Sequence, residues 1–266
     1  MRFTARQLPH HRGAAAWNEI LGQAASFSQL EQASIADVVI VGAGFAGLSA
    51  ARRLAQLEPS SRIAVLDAGR IAEGTAGRNS GFMIDLPHDL TSDDYAGPGD
   101  DAARIALNRK AIDFARNTVE AYDIKRDFFD PIGKVNGAVS AAAEEHNRTY
   151  AVHLQSLSEP SEMLDQHQMA ELTGSQYYRS GLYTPGTVML QPAGYIRGLA
   201  AGLARQGVMI HEASPVTEIV KEGSDWNVKT PAGSVSTPRI ILAVNGHLES
   251  FGVAKGRLMH VFLFAV

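Results

Sequence analysis

The sequence of 266 residues contains no cysteine. That excludes disulfides, thiolate metal sites, a cysteine nucleophile and a flavin tethered through sulfur. It also lacks an excess of positive charge. Its 24 Lys and Arg stand against 28 Asp and Glu, for a formal net charge of -4. Without a basic field, nucleic acid is not an expected partner. Long apolar runs are missing too: no stretch approaches the ~20 residues that a membrane helix needs. Leu258–Val266 is apolar but short, and His260 interrupts it. Arg2, Arg6 and Arg12 are not followed by the apolar core of a secretory leader. A cytoplasmic protein without a transmembrane segment is the expectation. No two of the nine histidines lie three or four residues apart, so no helical metal site is expected. The patterns G-x-S-x-G, Walker A and H-E-x-x-H are absent.

What is present reads as an ordinary globular chain, with 45% hydrophobic and 20% charged residues. Ile35–Val41 carries four consecutive β-branched residues, which predicts a strand buried on both faces, as in a parallel sheet. Gly42-Ala43-Gly44-Phe45-Ala46-Gly47 follows, and the Ala, Leu, Arg and Gln of 48–57 predict a helix. Pro59 ends it, and Arg62–Leu66 predicts a second strand that finishes at Asp67. This β-turn-α-β unit carries G-x-G-x-x-G in the context that gives the motif meaning. Gly42 permits the tight turn, Gly44 lets backbone approach a pyrophosphate, and Gly47 lets helix and strand pack closely. The helix N-terminus offers free N–H groups and the positive end of its dipole. Asp67 lies about 20 residues beyond Gly47, where a carboxylate accepts hydrogen bonds from ribose hydroxyls. These residues predict dinucleotide binding, and alone they do not separate NAD from FAD.

The next stretch, Glu73-Gly74-Thr75-Ala76-Gly77-Arg78-Asn79-Ser80-Gly81, is irregular and rich in hydrogen-bonding groups, as suits a loop along a large polar cofactor. Farther on, Ile105, Ile112, Ala115, Val119 and Tyr122 share one face of a helix over 101–122. A strand is predicted over 134–141, with helices over 143–157, 161–172 and 191–206. A strand at 208–211, a small meander over 216–236 and a strand at 240–244 follow. His88 reads as a loop histidine with ordinary hydrogen bonds.

Asp37–Gly81 resembles the start of the FAD-dependent D-amino-acid oxidase-like flavoproteins, nearest the γ-glutamylputrescine oxidase-type branch. Gln191-Pro192, His211-Glu212-Ala213-Ser214-Pro215-Val216 and Ile241–His247 fall in that family's order, so the likeness spans about residues 35 to 250. The resemblance implies an α/β fold: a Rossmann-type FAD-binding domain interleaved with an α+β substrate domain. The implied segments are an arm (1–34), FAD-binding residues 35–87, substrate-domain residues 88–186, FAD-binding residues 187–250, and a return toward the substrate domain at 251–266. It further implies that Gly42, Gly44, Phe45, Ala46 and Gly47 line the pyrophosphate turn. Asp67 and Ala68 would hold the adenosine ribose. Thr75, Arg78, Asn79 and Ser80 would run beside the pyrophosphate and flavin. Val216 would meet the adenine edge, and Ala243 would pass near the cofactor. Ala76 stands where the family usually has Ser, and Asp67 replaces the commoner Glu.

The implied activity is oxidation of a C–N bond of an amine or amino acid by hydride transfer to flavin, leaving an imine. Oxygen, a quinone or another carrier would take the electrons. No catalytic side chain is readable, because an unprotonated amine needs orientation and dryness more than a base. The alternatives are a hydroxylase-type flavoprotein, or a truncated, non-catalytic half that needs a partner chain. The apolar, uncapped finish at Val266 suggests such a truncation.

Overall fold

Val38-Val39-Ile40-Val41 is buried at all four positions, and so is Ile63–Leu66 beside it. β-branched side chains on both faces of one strand can be satisfied only inside a covered parallel sheet. The computed structural model, which describes residues 1–11, 13–22, 25–89 and 91–259, supplies that sheet. Its four strands run in the order Met209–His211, Ile63–Leu66, Val38–Val41, Ile240–Leu242, all parallel. The Phe45–Leu57 helix joins the two central strands and buries Gly47, Leu48 and Ala51. The Pro192–Arg205 helix leads into the Met209–His211 strand. Gln191 caps this helix by accepting the Gly194 N–H at 2.6 Å, and Pro192 fits the first turn, where its missing N–H costs nothing. A Cβ on Gly202 would lie 2.2 Å from the Tyr122 ring, so the glycine is what lets Tyr122 seat on the helix.

The chain divides into two compact units. The first comprises Met1–Ser80, Val119–Lys125 and the chain from Gln191 onward. Beside the parallel sheet it holds a five-stranded one: Arg2–Thr4, Glu218–Glu222, Asp225–Lys229, Ser234–Thr237 and Ala33–Ile35, in that order. Its pairings are antiparallel except the last, which is parallel. The predicted meander is therefore only the middle of a larger sheet. Both outer strands come from the amino-terminal arm. Leu30, Val39, Leu66, Ile219, Val228 and Val235 belong to one continuous core.

The second unit comprises Gly81–Thr118 and Arg126–Leu190. Lys134–Ala138, Ser180–Thr184 and Glu162–Leu164 form an antiparallel sheet with Ser180–Thr184 in the centre. Phe82–Met83, Val188–Leu190 and Phe129–Asp130 form a second one. Leu86, Ile105, Tyr150, Leu154 and Leu182 make its core. The helix expected over 161–172 is shorter than read: 162–164 is a strand, and the helix is Gln166–Thr173. Asp165 decides the boundary. Its carboxylate accepts the Gln168 N–H while the Gln168 side chain accepts the Asp165 N–H, a capping box that forbids helix upstream.

Candidate functional site

Three glycines shape the turn after Val41, and they do different work. Gly42 has φ +102°, and a Cβ there would lie 2.5 Å from the Ala243 carbonyl oxygen. Gly47 packs so tightly that a Cβ would lie 1.9 Å from the Gly42 oxygen. These two are required by the protein itself. Gly44 is not: it has φ −85° and ψ −168°, and a Cβ would meet only the Ala76 methyl, at 3.7 Å. Among the described residues, no contact requires Gly44 to lack a side chain. The Phe45–Leu57 helix starts here with no side-chain cap. Its first-turn N–H groups and dipole therefore form an anion-binding surface. Phe45 stacks on Tyr195 with ring centroids 6.2 Å apart, fixing the helix start, and Ala46 is exposed.

Asp67 follows the Ile63–Leu66 strand and closes the turn from its other side. One carboxylate oxygen accepts the Ala43 N–H at 2.7 Å, and the other accepts the Gly69 N–H at 2.9 Å. Burial pushes its carboxyl above the ordinary range, the two backbone bonds oppose the rise, and nearby Glu212 adds to it. The half-buried Ala68 comes next. Ala243 donates its N–H to Val41 at 2.8 Å, which brings the end of the Ile240–Leu242 strand against Gly42 and Gly47. Val216 is buried two residues beyond Ser214, whose N–H donates to the Asp67 carbonyl at 2.7 Å.

The 69–80 loop is folded by its own side chains. Ala72 has φ +66°, and a Cβ on Gly77 would lie 1.8 Å from the Ala72 oxygen. Thr75–Gly77 makes a single 3-10 turn. The Arg78 guanidinium donates to the Glu73 and Gly13 carbonyls, both at 2.7 Å. The Asn79 amide donates to the Ala76 carbonyl at 2.8 Å. Thr75 and Ser80 are exposed, and the Thr75 hydroxyl accepts the Asn245 amide at 3.4 Å. Arg78 and Asn79 thus act here on backbone, holding the loop's shape.

Glu212 went unsingled in the sequence, although it sits in the His211–Val216 run. Only 5% exposed, it accepts the Ile71 N–H at 2.6 Å on one oxygen and the Phe27 N–H at 3.0 Å on the other. One buried carboxylate thereby joins the loop to the amino-terminal arm. The readable signal was an acid directly after a strand. Glu212→Ala leaves one buried and one part-buried N–H group without acceptors and is expected to cost about 2 kcal/mol in urea unfolding. Glu212→Gln keeps one acceptor and is expected to cost about half of that.

In the second unit, His88 lies in a loop and makes a side-chain hydrogen bond. Its Nδ1 lies 3.0 Å from the Lys134 Nζ, and its ring stacks on Tyr95 with centroids 5.3 Å apart. Burial lowers Lys134 to about 8. Desolvation and that neighbouring ammonium also push His88 below its ordinary range, so the neutral ring is the acceptor. Asp85, fully buried, is held by Arg109 at 3.0 Å. Among the described residues, no three His, Cys, Asp or Glu groups are placed to hold a metal ion. Nor is any helix among them long and apolar enough to cross a membrane.

Residues 37–262 match the model of a family described as FAD dependent oxidoreductase. The chain belongs to that family. Among curated relatives, it is 29% identical over 231 residues to "Probable oxidoreductase OrdL" of Haemophilus influenzae, covering 84% of this chain and 52% of that protein. It is 28% identical over 232 residues to the γ-glutamylputrescine oxidoreductase of Escherichia coli, covering 84% and 52%. The chain spans about half the length of the curated relatives it matches. Among solved structures, glycine oxidase from Geobacillus kaustophilus superposes with a TM-score of 0.69 at 20% identity, covering 82% of this chain and 58% of that one. L-amino acid deaminase from Proteus myxofaciens gives 0.65 at 20% identity, covering 83% and 48%. Both likenesses are of fold. The residues present fit the family's FAD: among the described residues only the Ala76 methyl comes near a Cβ at Gly44, the helix start has no side-chain cap, and a carboxylate ends the second strand.

Proposed function

We propose that the protein oxidises a C–N bond of an amine or amino acid in an FAD-dependent reaction that leaves an imine. The observation that carries the cofactor half of this reading is the Gly44 turn, where among the described residues a side chain has room and a closely held ligand accounts for its absence; the family match favours FAD over NAD. Under this reading Gly42, Gly44, Phe45, Ala46 and Gly47 hold the pyrophosphate. Asp67 and Ala68 meet the adenosine ribose, and backbone at Val216 meets the adenine. Thr75, Ser80 and Ala243 line the rest of the path, while Arg78 and Asn79 keep the loop in shape. When bound, FAD supplies the acceptor for the hydride. The chain's own groups orient it and exclude water. The names of the γ-glutamylputrescine oxidoreductase and of the oxidase and deaminase structures support an amine or amino-acid donor. The electron acceptor in this reading is oxygen, a quinone or another carrier.

The test is reconstitution with FAD, removal of free cofactor, and anaerobic addition of a panel of amines and amino acids. Retained flavin absorption that bleaches with one of them is the expected result. A chain that retains no flavin overturns the cofactor reading. Bleaching by a reduced nicotinamide, with none by amines, overturns the C–N reading in favour of a hydroxylase type.

A further inference from the structure

The Ala16–Leu21 helix has six residues and no side-chain cap. A helix that short is not stable alone in water, so its contacts within the first unit hold it. Those contacts converge on the 72–80 loop. Trp17 donates its indole N–H to the Asn79 carbonyl at 2.8 Å. Asn18, 9% exposed, donates its amide to the Ala72 carbonyl at 2.9 Å. The Gly13 carbonyl takes the Arg78 guanidinium. The arm is itself held from behind. Gln191 donates to the Trp17 carbonyl at 3.0 Å, and Arg197 to the Gly22 carbonyl at 2.9 Å.

We propose that Gly13–Gly22 is a clasp that sets the position of the 72–80 loop for FAD, with Trp17 and Asn18 as positioning residues. The consequence for FAD rests on the cofactor reading given above. In a trans peptide the carbonyl and the following N–H point opposite ways. Fixing the Asn79 oxygen on Trp17 therefore fixes the direction of the Ser80 N–H. Fixing the Ala72 oxygen on Asn18 holds the positive-φ corner where the loop turns. The loop's own bonds, from Arg78 to Glu73 and from Asn79 to Ala76, take up other carbonyls and leave these two to the arm.

The test compares the parent chain with Trp17→Phe, which keeps a ring and loses the N–H, and with Gln191→Glu. The latter keeps the cap on Gly194 and loses the donor to Trp17. Ile20→Ser, at a site 73% exposed on the same helix, is the control. FAD affinity is measured by equilibrium dialysis, and amide hydrogen exchange over 72–80 is measured on the chain without FAD. Each variant is expected to bind FAD about three- to tenfold more weakly. Exchange over 75–80 should quicken while the unfolding midpoint and the control stay unchanged. If Trp17→Phe lowers the global midpoint, Gln191→Glu carries the comparison. Variants that match the parent in both measurements overturn the clasp. If the parent takes up no FAD, the cofactor reading fails separately. The exchange rates then decide the clasp alone, and parent-like rates in the variants overturn it.

Discussion

Gly44→Ala is expected to weaken FAD binding about 10- to 100-fold, the scale of forcing one methyl into a filled contact. The same substitution should leave the free energy of unfolding within about 1 kcal/mol of the parent. Both halves follow from local geometry. At φ −85° and ψ −168° alanine is allowed. Among the described residues its methyl would meet only Ala76, at ordinary van der Waals distance. The folded protein therefore tolerates the change. Under the proposed cofactor reading, a pyrophosphate drawn onto the first-turn N–H groups would not, because the methyl would occupy its line of approach. Flavin retention after gel filtration and urea unfolding of the cofactor-free chain check the two halves separately. Parent-like FAD binding by Gly44→Ala would remove the dinucleotide from this turn.

Gly47→Ala should do the reverse. Its Cβ would lie 1.9 Å from the Gly42 oxygen and 3.3 Å from the Ala243 methyl. The first neighbour is backbone at the end of a buried strand, and it cannot rotate away as a side chain could. The helix must lift from the sheet. The cost is expected to reach about 3 kcal/mol or more, at the upper end of overpacking effects. Loss of cooperative unfolding, or a steep fall in its midpoint with or without FAD, is the measurement. A Gly47→Ala chain with the parent's midpoint would mean that helix and strand are not packed at this distance.

The two substitutions show where sequence reading was informative. The order strand, glycine turn, helix, strand, carboxylate is local. Each piece is specified by residues within a few positions of itself, so Val38–Val41, Phe45–Leu57, Ile63–Leu66 and Asp67 were all legible. The roles of the individual glycines were legible only in kind. Which of them is required by the protein and which by a ligand depends on Ala243 and Ala76, distant in the chain. The unread features share this non-local character. Ala33–Ile35 is a strand because Ser234–Ser236 pairs with it. Arg78 had the right charge for a phosphate, but it is held by the Gly13 and Glu73 carbonyls, which no local pattern announces. Glu212 looked like one acid among many, because the N–H groups it satisfies belong to Phe27 and Ile71. The strand at Glu162–Leu164 was hidden for a different reason. Its three residues lie beside a well-capped helix, and helical pattern extends over them until Asp165 is recognised as the cap.

The pairing of Arg2–Thr4 with Glu218–Glu222 has a consequence for synthesis. On the ribosome, Arg2–Thr4 emerges long before its partner exists. It cannot enter its sheet until the chain has been made past Glu222. The Val38–Leu66 unit can begin earlier, but its outer strands Met209–His211 and Ile240–Leu242 also come late. Topology of this kind slows folding and leaves the growing chain exposed meanwhile. Arg2–Thr4 is thus made long before its partner strand and is among the last parts secured. Bulk added next to this strand would burden the step that closes the five-stranded sheet.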